Sequence, residues 1–384
     1  MKIGVFLSKR DSFEGGGYTI TKEIVETLIS YLIEKKLQKF FFFLISNDSN
    51  NEICKRLKKN KISYKKITEN NFTRIIFTFI SHLIKSSNIL LNSLNILKIN
   101  KIFKDNNCDR ILFISSEYRE KIYIPYFATV WDMQHETHPQ FSEVSSFGKR
   151  LYKKIVNNRF IKAADTIIVG TKVGKSQVIK YTKFDNNFII LPHPVSKIFM
   201  KKKNENIIKN KIKYFFYPAN FWSHKNHINL IYGFKKFLKN NNNFTLLFSG
   251  EKKNNYSNVL KTINKLNIRN KIKLVGHVSI KKLIKIYDES FAVIYSSFSG
   301  PENLPPLEAL ARNKILINSI YPGAKEQLKD FPIYVNPKSP DDIAKGMLKS
   351  LKIKLKSKKL LSQYLRSKDS KFYVKKLIQK LLKR

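Results

Sequence analysis

Acids are scarce in this chain: its 384 residues carry 28 Asp and Glu against 73 Lys and Arg, a formal net charge of +45. That imbalance points to anionic company, whether nucleic acid, an acidic lipid surface or phosphorylated substrates. A second reading stands beside it. Lys, Asn, Ile and Phe dominate throughout, as A- and T-rich coding sequence produces, and the lysines are spread rather than gathered into one tract. Cysteine is scarcer still. Cys54 and Cys108 alone make neither a disulfide framework nor a zinc cluster, which favours a reducing compartment. Long apolar runs are missing as well. None reaches the roughly 18 residues of a spanning helix, and the apolar start Met1–Ser8 turns polar too soon for a signal sequence. Several catalytic signatures are absent: no GxGxxG with a well-placed acid, no HExxH, no GxSxG, and no zinc-finger or RNA-binding consensus.

What is present is enough apolar sequence, 42% of residues, to build real cores. Short apolar runs alternate with longer helical patterns, the mark of parallel α/β domains. In the first half the clearest strands are Lys2–Leu7, Phe40–Ile45, Ile111–Ile114, Ile122–Val130 and Thr166–Val169. A helix from about Tyr18 keeps Ile20, Ile24, Leu28 and Leu32 on one face. A second set of strands comprises Tyr214–Tyr217, Phe244–Phe248, Lys273–Val275, Ala292–Tyr295, Ile315–Ile317 and Ile333–Val335, with helices at His227–Leu238 and Ile280–Tyr287. Between the sets stand Pro192 and Pro194, then the polar run Lys201–Lys211. The predicted division is residues 1–195, residues 196–360 and a basic tail, 361–384. From Leu351 onward the pattern is that of a basic amphipathic helix, which either packs on the core or lies on a membrane.

The most informative segment is Gly300-Pro301-Glu302-Asn303-Leu304-Pro305-Pro306-Leu307-Glu308-Ala309, directly after the apolar run Phe291–Tyr295. Gly300, Asn303 and the prolines read as a tight connection, with helix-compatible residues from Leu307. A strand, loop and helix of this kind offers backbone N–H groups and a positive helix end to a phosphorylated ligand. Glu308, nearby, can accept hydrogen bonds from sugar hydroxyls; a bare loop with a surface acid looks similar. Phe221-Trp222-Ser223-His224-Lys225-Asn226-His227 leaves another strand and enters a helix. Lys225 at that junction is suited to diphosphate charge, whereas His224 and His227 can equally cap or pack. Gly323 and Ala324 follow a further strand and read as room for a ligand contact.

In the first half, Gly15-Gly16-Gly17 follows the first strand and is either a flexible turn or a loop near substrate. Trp131-Asp132-Met133-Gln134-His135-Glu136-Thr137-His138-Pro139 follows a later strand. Its polar residues suit orientation of an acceptor hydroxyl or an ordinary polar loop, and their spacing imitates no common metal motif.

Together these segments resemble the family-4 retaining glycosyltransferases of the GT-B architecture, and among them the bacterial enzymes of surface-polysaccharide and O-antigen assembly. The likeness is densest in Tyr217–Asn229, Leu274–Gly276, Ser296–Ala311 and Tyr321–Pro337. It implies two Rossmann-like α/β domains facing a central cleft, the first binding the acceptor and the second a nucleotide diphosphate sugar. Residue by residue, Glu308 matches the second acid of the family's E-x7-E element, which holds the donor ribose. Lys225 matches the basic residue on the diphosphate, and Asn303 and Leu304 fall where loop backbone lines diphosphate and sugar. Gly16 and Gly17 match the N-terminal glycine loop, and Asp132 and His135 the acceptor-side or catalytic polar region. Two positions depart from the pattern. Gly300 stands where the first acid of E-x7-E belongs, and Asn220 where an arginine is common.

The resemblance implies transfer of a hexose, with mannose a candidate, to a glycan or lipid-linked saccharide with retention of configuration. Asp132, His135 and Lys225 are the expected catalytic residues. Gly16, Gly17, Asn220, Lys225, Asn303, Leu304 and Glu308 are expected to hold the donor. No metal or other cofactor and no specific nucleic acid is expected. The expected location is cytoplasmic, with peripheral attachment to the inner membrane face through the basic tail or Ile75–Ile84. A GT-B phosphorylase or epimerase, and a basic nucleic-acid or membrane-binding protein without transferase activity, are the alternatives.

Overall fold

Runs such as Phe40-Phe41-Phe42-Phe43-Leu44-Ile45 have no polar face, so a strand made of them must be covered on both sides, as in a parallel sheet. The computed structural model shows two such sheets and describes residues 1–8, 15–45, 48–68, 99–114, 121–145, 149–185, 187–201, 213–353 and 357–383. The stretch Ile75–Ile84 lies outside them. The chain divides into two compact units. The first is Met1–Gln140, Val144–Pro192 and Lys371–Arg384; the second is Phe141–Glu143 and His193–Ser370.

The first unit holds β1 (Ile3–Leu7), β2 (Phe40–Ile45), β3 (Tyr64–Ile67), β4 (Arg110–Phe113), β5 (Tyr126–Thr129), β6 (Thr166–Val169) and β7 (Asn187–Ile190). They form one sheet in the order β3-β2-β1-β4-β5-β6-β7, with every pairing parallel. Aromatic rings fill one face: Phe6, Phe43, Phe103 and Phe113 meet with centroids 4.8–6.4 Å apart. The helix Gly16–Glu34 buries Ile20, Ile24, Leu28 and Leu32, the face its spacing predicts. It begins at Gly16 rather than near Tyr18, so Gly16 and Gly17 belong to the first helical turn.

The second unit holds β8 (Lys213–Pro218), β9 (Phe244–Ser249), β10 (Ile272–Leu274), β11 (Ala292–Tyr295), β12 (Ile315–Ser319) and β13 (Ile333–Val335). Their order is β10-β9-β8-β11-β12-β13, again all parallel. Two buried layers flank the sheet. One is built on Phe215, Phe234, Phe244 and Phe248; the other is built on Phe216, Tyr287, Leu307 and Leu310.

The tail does not form one continuous element. The helix Lys358–Arg366 buries Leu361 and Leu365 in the second unit's core. The helix Ser370–Leu381 groups with the first unit and buries Val374, Leu377, Ile378 and Leu381. Between them the chain is turned by pairing: the Val195 N–H donates to the Lys368 carbonyl at 2.9 Å, and Val195 bridges Asp369. Burying one such leucine or valine is worth about 1.5–3 kcal/mol, so these apolar faces are spent on protein rather than on lipid. Among the described residues no helix is long and apolar enough to cross a membrane.

Candidate active site

In the second sheet the strand order reverses between β8 and β11, which are neighbours. Beyond the carboxyl ends of two strands at such a reversal is where ligands of open α/β sheets bind. Lys225 lies on the connection from β8 and the segment Gly300–Glu308 on that from β11. Segments 75 or more residues apart are thereby joined at one sheet edge.

The β8 connection ends in a single 3-10 turn, Ser223–Lys225, followed by Asn226 in the left-handed conformation (φ 59°). Asparagine tolerates that conformation better than most residues, and the buried Asn226 amide anchors the corner by donating to the Ser296 and Pro337 carbonyls at 3.0 and 2.7 Å. The Tyr217 hydroxyl donates to the Lys225 carbonyl. The Lys225 ammonium donates to the Tyr295 hydroxyl at 2.7 Å and to Asn303 Oδ1 at 3.3 Å. Tyr295 in turn donates to Asn303 Oδ1 at 2.7 Å. Burial holds the Tyr295 phenol well above its usual pKa, so it stays neutral beside the lysine. The lysine is thus aimed by two neutral partners, and its charge is not cancelled by either.

The helix after β11 spans Leu304–Ala311, three residues earlier than the sequence predicted, and takes Pro305 and Pro306 into its first turn. Proline is tolerated there because first-turn N–H groups have no intrahelical acceptor. Two donors are thereby missing, and Leu304 is the first-turn residue that keeps its N–H. Asn303 is fixed from both sides, its N–H donating to Gln327 Oε1 at 3.1 Å and its carbonyl accepting from Gln327 Nε2 at 2.8 Å. Its side-chain amide donates to the Ser299 carbonyl at 3.1 Å. The Asn303 N–H is therefore occupied. Glu308, in the second turn, is buried, and Tyr287 donates to its Oε2 at 2.8 Å. Burial pushes the Glu308 carboxyl up to about 7, with the Tyr287 hydrogen bond pulling the other way. Beyond this helix, Arg312 binds Asp288 through Nε at 2.8 Å and Nη2 at 2.6 Å, fixing the helix end.

Gly300 has a steric reason. A Cβ there would lie 2.5 Å from Tyr321 Cδ2 and 2.6 Å from Cε2. The ring of Tyr321 fills the space a side chain would need, so the first acid of the E-x7-E pattern cannot be accommodated without displacing it. Glu302 does not replace that acid. Its side chain is 1% exposed, and it accepts from the His193 N–H at 3.1 Å, tying the loop to the segment entering the unit. The room expected at Gly323 is filled too: a Cβ there would lie 2.4 Å from the Pro301 carbonyl oxygen. Substituting Gly300 by alanine is expected to lower stability by roughly 1–3 kcal/mol through overpacking, and Gly300→Glu by more. Thermal unfolding measures this; an unchanged Tm for Gly300→Glu would show that the Tyr321 ring yields freely.

Asn220 uses its Oδ1 to accept from the Glu251 N–H at 2.8 Å, so it shapes the turn after β9. His227 is core: it is fully buried, stacks on Phe221 at 4.5 Å, and burial depresses its pKa to about 3. In the first unit Gly15 has φ 82° and Gly16 and Gly17 open the helix, so their N–H groups have no acceptor within it. Asp132 is exposed and its Oδ1 accepts from the Gln134 N–H at 2.9 Å, starting the short helix Gln134–Thr137. His135 is buried on that helix, and Glu136 pairs with Arg150 at 3.1 Å. Among the described residues no group of three or more His, Cys, Asp or Glu side chains is arranged to hold a metal.

Sequence reasoning missed Tyr287, Tyr295, Gln327 and Glu143. Tyr295 ends an apolar run and read as strand core; only the neighbouring loop gives its hydroxyl a polar task. Gln327 and Tyr287 lie 24 and 21 residues from the groups they bind, Asn303 and Glu308, with no local signal at either.

The family model described as Glycosyl transferases group 1 matches residues 199–368, the stretch containing every one of the β8 and β11 groups above. No curated protein matches the chain significantly. Solved structures similar over the whole length include a glycosyltransferase from Rickettsia africae, with 16% identity, TM-score 0.69 and coverage of 98% of this chain and 97% of that one. Anabaena Alr3699/HepE, in complex with UDP and glucose, has 12% identity, TM-score 0.69 and coverage of 98% and 99%. An E. coli structure described as trehalose-6-phosphate bound with UDP-2-fluoro glucose has 11% identity, TM-score 0.67 and coverage of 99% of both chains. Two parallel α/β units in this order make the fold of this chain the GT-B fold, and its second unit is similar in sequence to the group 1 glycosyl transferases.

Proposed function

We propose that this protein is a retaining glycosyltransferase that moves a hexose from a nucleotide diphosphate sugar to a glycan or lipid-linked saccharide. The observation that carries the reading is the meeting of Lys225, Asn303, Leu304 and Glu308 at the strand-order reversal of the second unit. UDP in complexes of similar fold makes a uridine nucleotide the first donor to test. The Lys225 ammonium and the Leu304 N–H face the diphosphate, and Tyr287 takes one oxygen of Glu308, leaving the other for a ribose hydroxyl. As the bond from anomeric carbon to diphosphate oxygen breaks, negative charge gathers on that oxygen. Fixed donors stabilise it there without reorganising. The acceptor hydroxyl attacks the anomeric carbon on the same face within the short-lived ion pair and gives its proton to the departing diphosphate oxygen, so neither a protein nucleophile nor a metal is needed.

Asp132 and His135 serve the acceptor side, and Gly16 and Gly17, at the start of the first unit's opening helix, are donor contacts. Mannose and surface-polysaccharide assembly are the specific sugar and role we favour. The test is transfer from a panel of labelled nucleotide sugars to lipid-linked acceptors, with the product's anomeric configuration read by NMR. Inverted product, or no transfer from any donor in the panel, rejects the reading. In the same assay, alanine at Asp132 and His135 is expected to raise the acceptor KM while leaving UDP affinity unchanged; intact acceptor kinetics in both variants remove them from the site.

We place the enzyme in the cytoplasm, held to an anionic membrane face by its +45 charge. Exposed apolar side chains stand among lysines near the end of the second unit: Leu348, Leu351, Ile353 and Leu360 with Lys349, Lys352 and Lys359. Flotation with anionic vesicles is expected to retain the protein at low salt and release it at high salt. No retention at low salt would assign the charge to composition alone.

A further inference from the structure

The residues Phe141–Glu143 belong to the second unit although the chain on either side of them belongs to the first. They are seated on the turn that carries Lys225. The Phe141 ring stacks on Phe298 at 5.8 Å and meets the edge of His224 at 6.1 Å. The Glu143 side chain is 4% exposed, and its Oε1 accepts from the His224 backbone N–H at 2.9 Å and from His224 Nδ1 at 2.7 Å. Its Oε2 accepts from Asn254 Nδ2 at 2.8 Å. Asn254 also accepts from the Ser223 N–H at 3.2 Å and donates to Ser142 Oγ at 2.9 Å. From the other side, the His224 carbonyl accepts from the Phe298 N–H at 2.9 Å.

We propose that Glu143, working with Asn254, is a positioning residue for the phosphate lysine, clamping the turn Ser223–Lys225 so that Lys225 is presented to the donor diphosphate. The proposal rests on Lys225 meeting that diphosphate. Its physical basis is the cost of the alternative. The turn is a single 3-10 turn, whose first N–H groups have no partner within it. Glu143 and Asn254 take up the N–H groups of His224 and Ser223, and a buried carboxylate is retained only where hydrogen bonds compensate for lost hydration. Burial works against its charged form, yet the bonds from His224 and Asn254 hold the Glu143 carboxyl at about 2. It is therefore an anion at every working pH, and the clamp stays closed. A side chain too short to reach leaves the His224 N–H unpaired and Asn254 without its carboxylate partner, and the turn is free to rotate Lys225 away from Tyr295 and Asn303.

A merely structural role would weaken all ligands alike, so the test compares two probes, UDP and uridine, by calorimetry on the full chain. Glu143→Ala is expected to lower UDP affinity about tenfold or more, the cost of losing charge-assisted hydrogen bonds, while uridine affinity stays unchanged. Glu143→Gln, which still accepts from the His224 N–H, is expected to lose less. In a Lys225→Ala background, Glu143→Ala is expected to have no further effect on UDP, because it acts through the lysine. Equal losses for UDP and uridine, additive losses in the double variant, or an unchanged UDP affinity would each overturn the clamp. A gain in UDP affinity would also overturn it, making Glu143 a resident anion in the phosphate seat. If Lys225→Ala itself leaves UDP affinity intact, the failure lies in the phosphate assignment instead. Should Glu143→Ala fail to fold, Asn254→Ala, which removes the Ser223 N–H acceptor, carries the same expectations.

Discussion

Lys225→Ala is expected to slow sugar transfer about a hundredfold to a thousandfold, the loss typical when one fixed donor is removed from a developing oxyanion. The Lys225 ammonium donates to two neutral groups, the Tyr295 hydroxyl and Asn303 Oδ1, and neither cancels its charge. Because the leaving diphosphate gains charge only as the bond breaks, the chemical step should suffer more than acceptor binding. Single-turnover kinetics at saturating donor and acceptor read that step directly. Lys225→Arg is expected to recover little, since a planar guanidinium cannot reproduce the geometry set by Tyr295 and Asn303. A normal single-turnover rate in Lys225→Ala would return the lysine to the surface.

Glu308 is expected to make both stability and ligand binding depend on pH, with opposite consequences. Its folded-state pKa of about 7 lies above the usual 4.5, chiefly through burial. A raised folded pKa means that the folded state holds the proton more tightly than the unfolded chain does. The associated stability is fully present below about pH 4.5 and is lost as pH rises through about 7. The neutral isostere in Glu308→Gln does not pay this cost. It is expected to match the parent protein near pH 5 and exceed its stability by about 3 kcal/mol at pH 8, by the usual 1.36 kcal/mol per pKa unit. Binding runs the other way. Ribose hydroxyls donate best to the ionised carboxylate, so uridine, which carries the ribose without phosphate, should bind more tightly at pH 8 than at pH 6. Glu308→Gln should abolish that dependence, and Glu308→Ala should weaken uridine binding about tenfold to a hundredfold. Denaturant melts at the two pH values, with uridine calorimetry alongside, check both halves. A parent protein no less stable than Glu308→Gln at pH 8 would mean that the buried carboxylate has found compensation.

Central strands were legible because they are covered on both faces and therefore mostly apolar; β1, β2, β8, β9 and β11 read as runs dominated by Ile, Leu, Val, Phe and Tyr. The two edge strands of the first sheet, β3 and β7, were not among those predicted. Tyr64-Lys65-Lys66-Ile67 exposes both lysines and Asn187 begins β7 exposed, since an edge strand borders solvent and its pattern resembles a polar loop. The helix Leu304–Ala311 was expected to start at Leu307 because proline ordinarily breaks helices, a rule that fails in the first turn. Lys225, Asn303 and Glu308 were legible as candidates because each stands just beyond an apolar strand.

By itself, the sequence determined that this chain forms two parallel α/β units and which strand ends carry its polar loops, since hydrophobic period and turn residues act over neighbouring positions. Only the tertiary structure decided how those loops are joined and what each side chain does there. It turned Glu302 inward to His193 and filled the place of a missing acid at Gly300 with the Tyr321 ring. It also brought Glu143 from 81 residues away onto the backbone of the turn that carries Lys225. Hydrogen bonds and steric exclusion at such separations depend on strand order and packing, and neither is written in any local stretch of the chain.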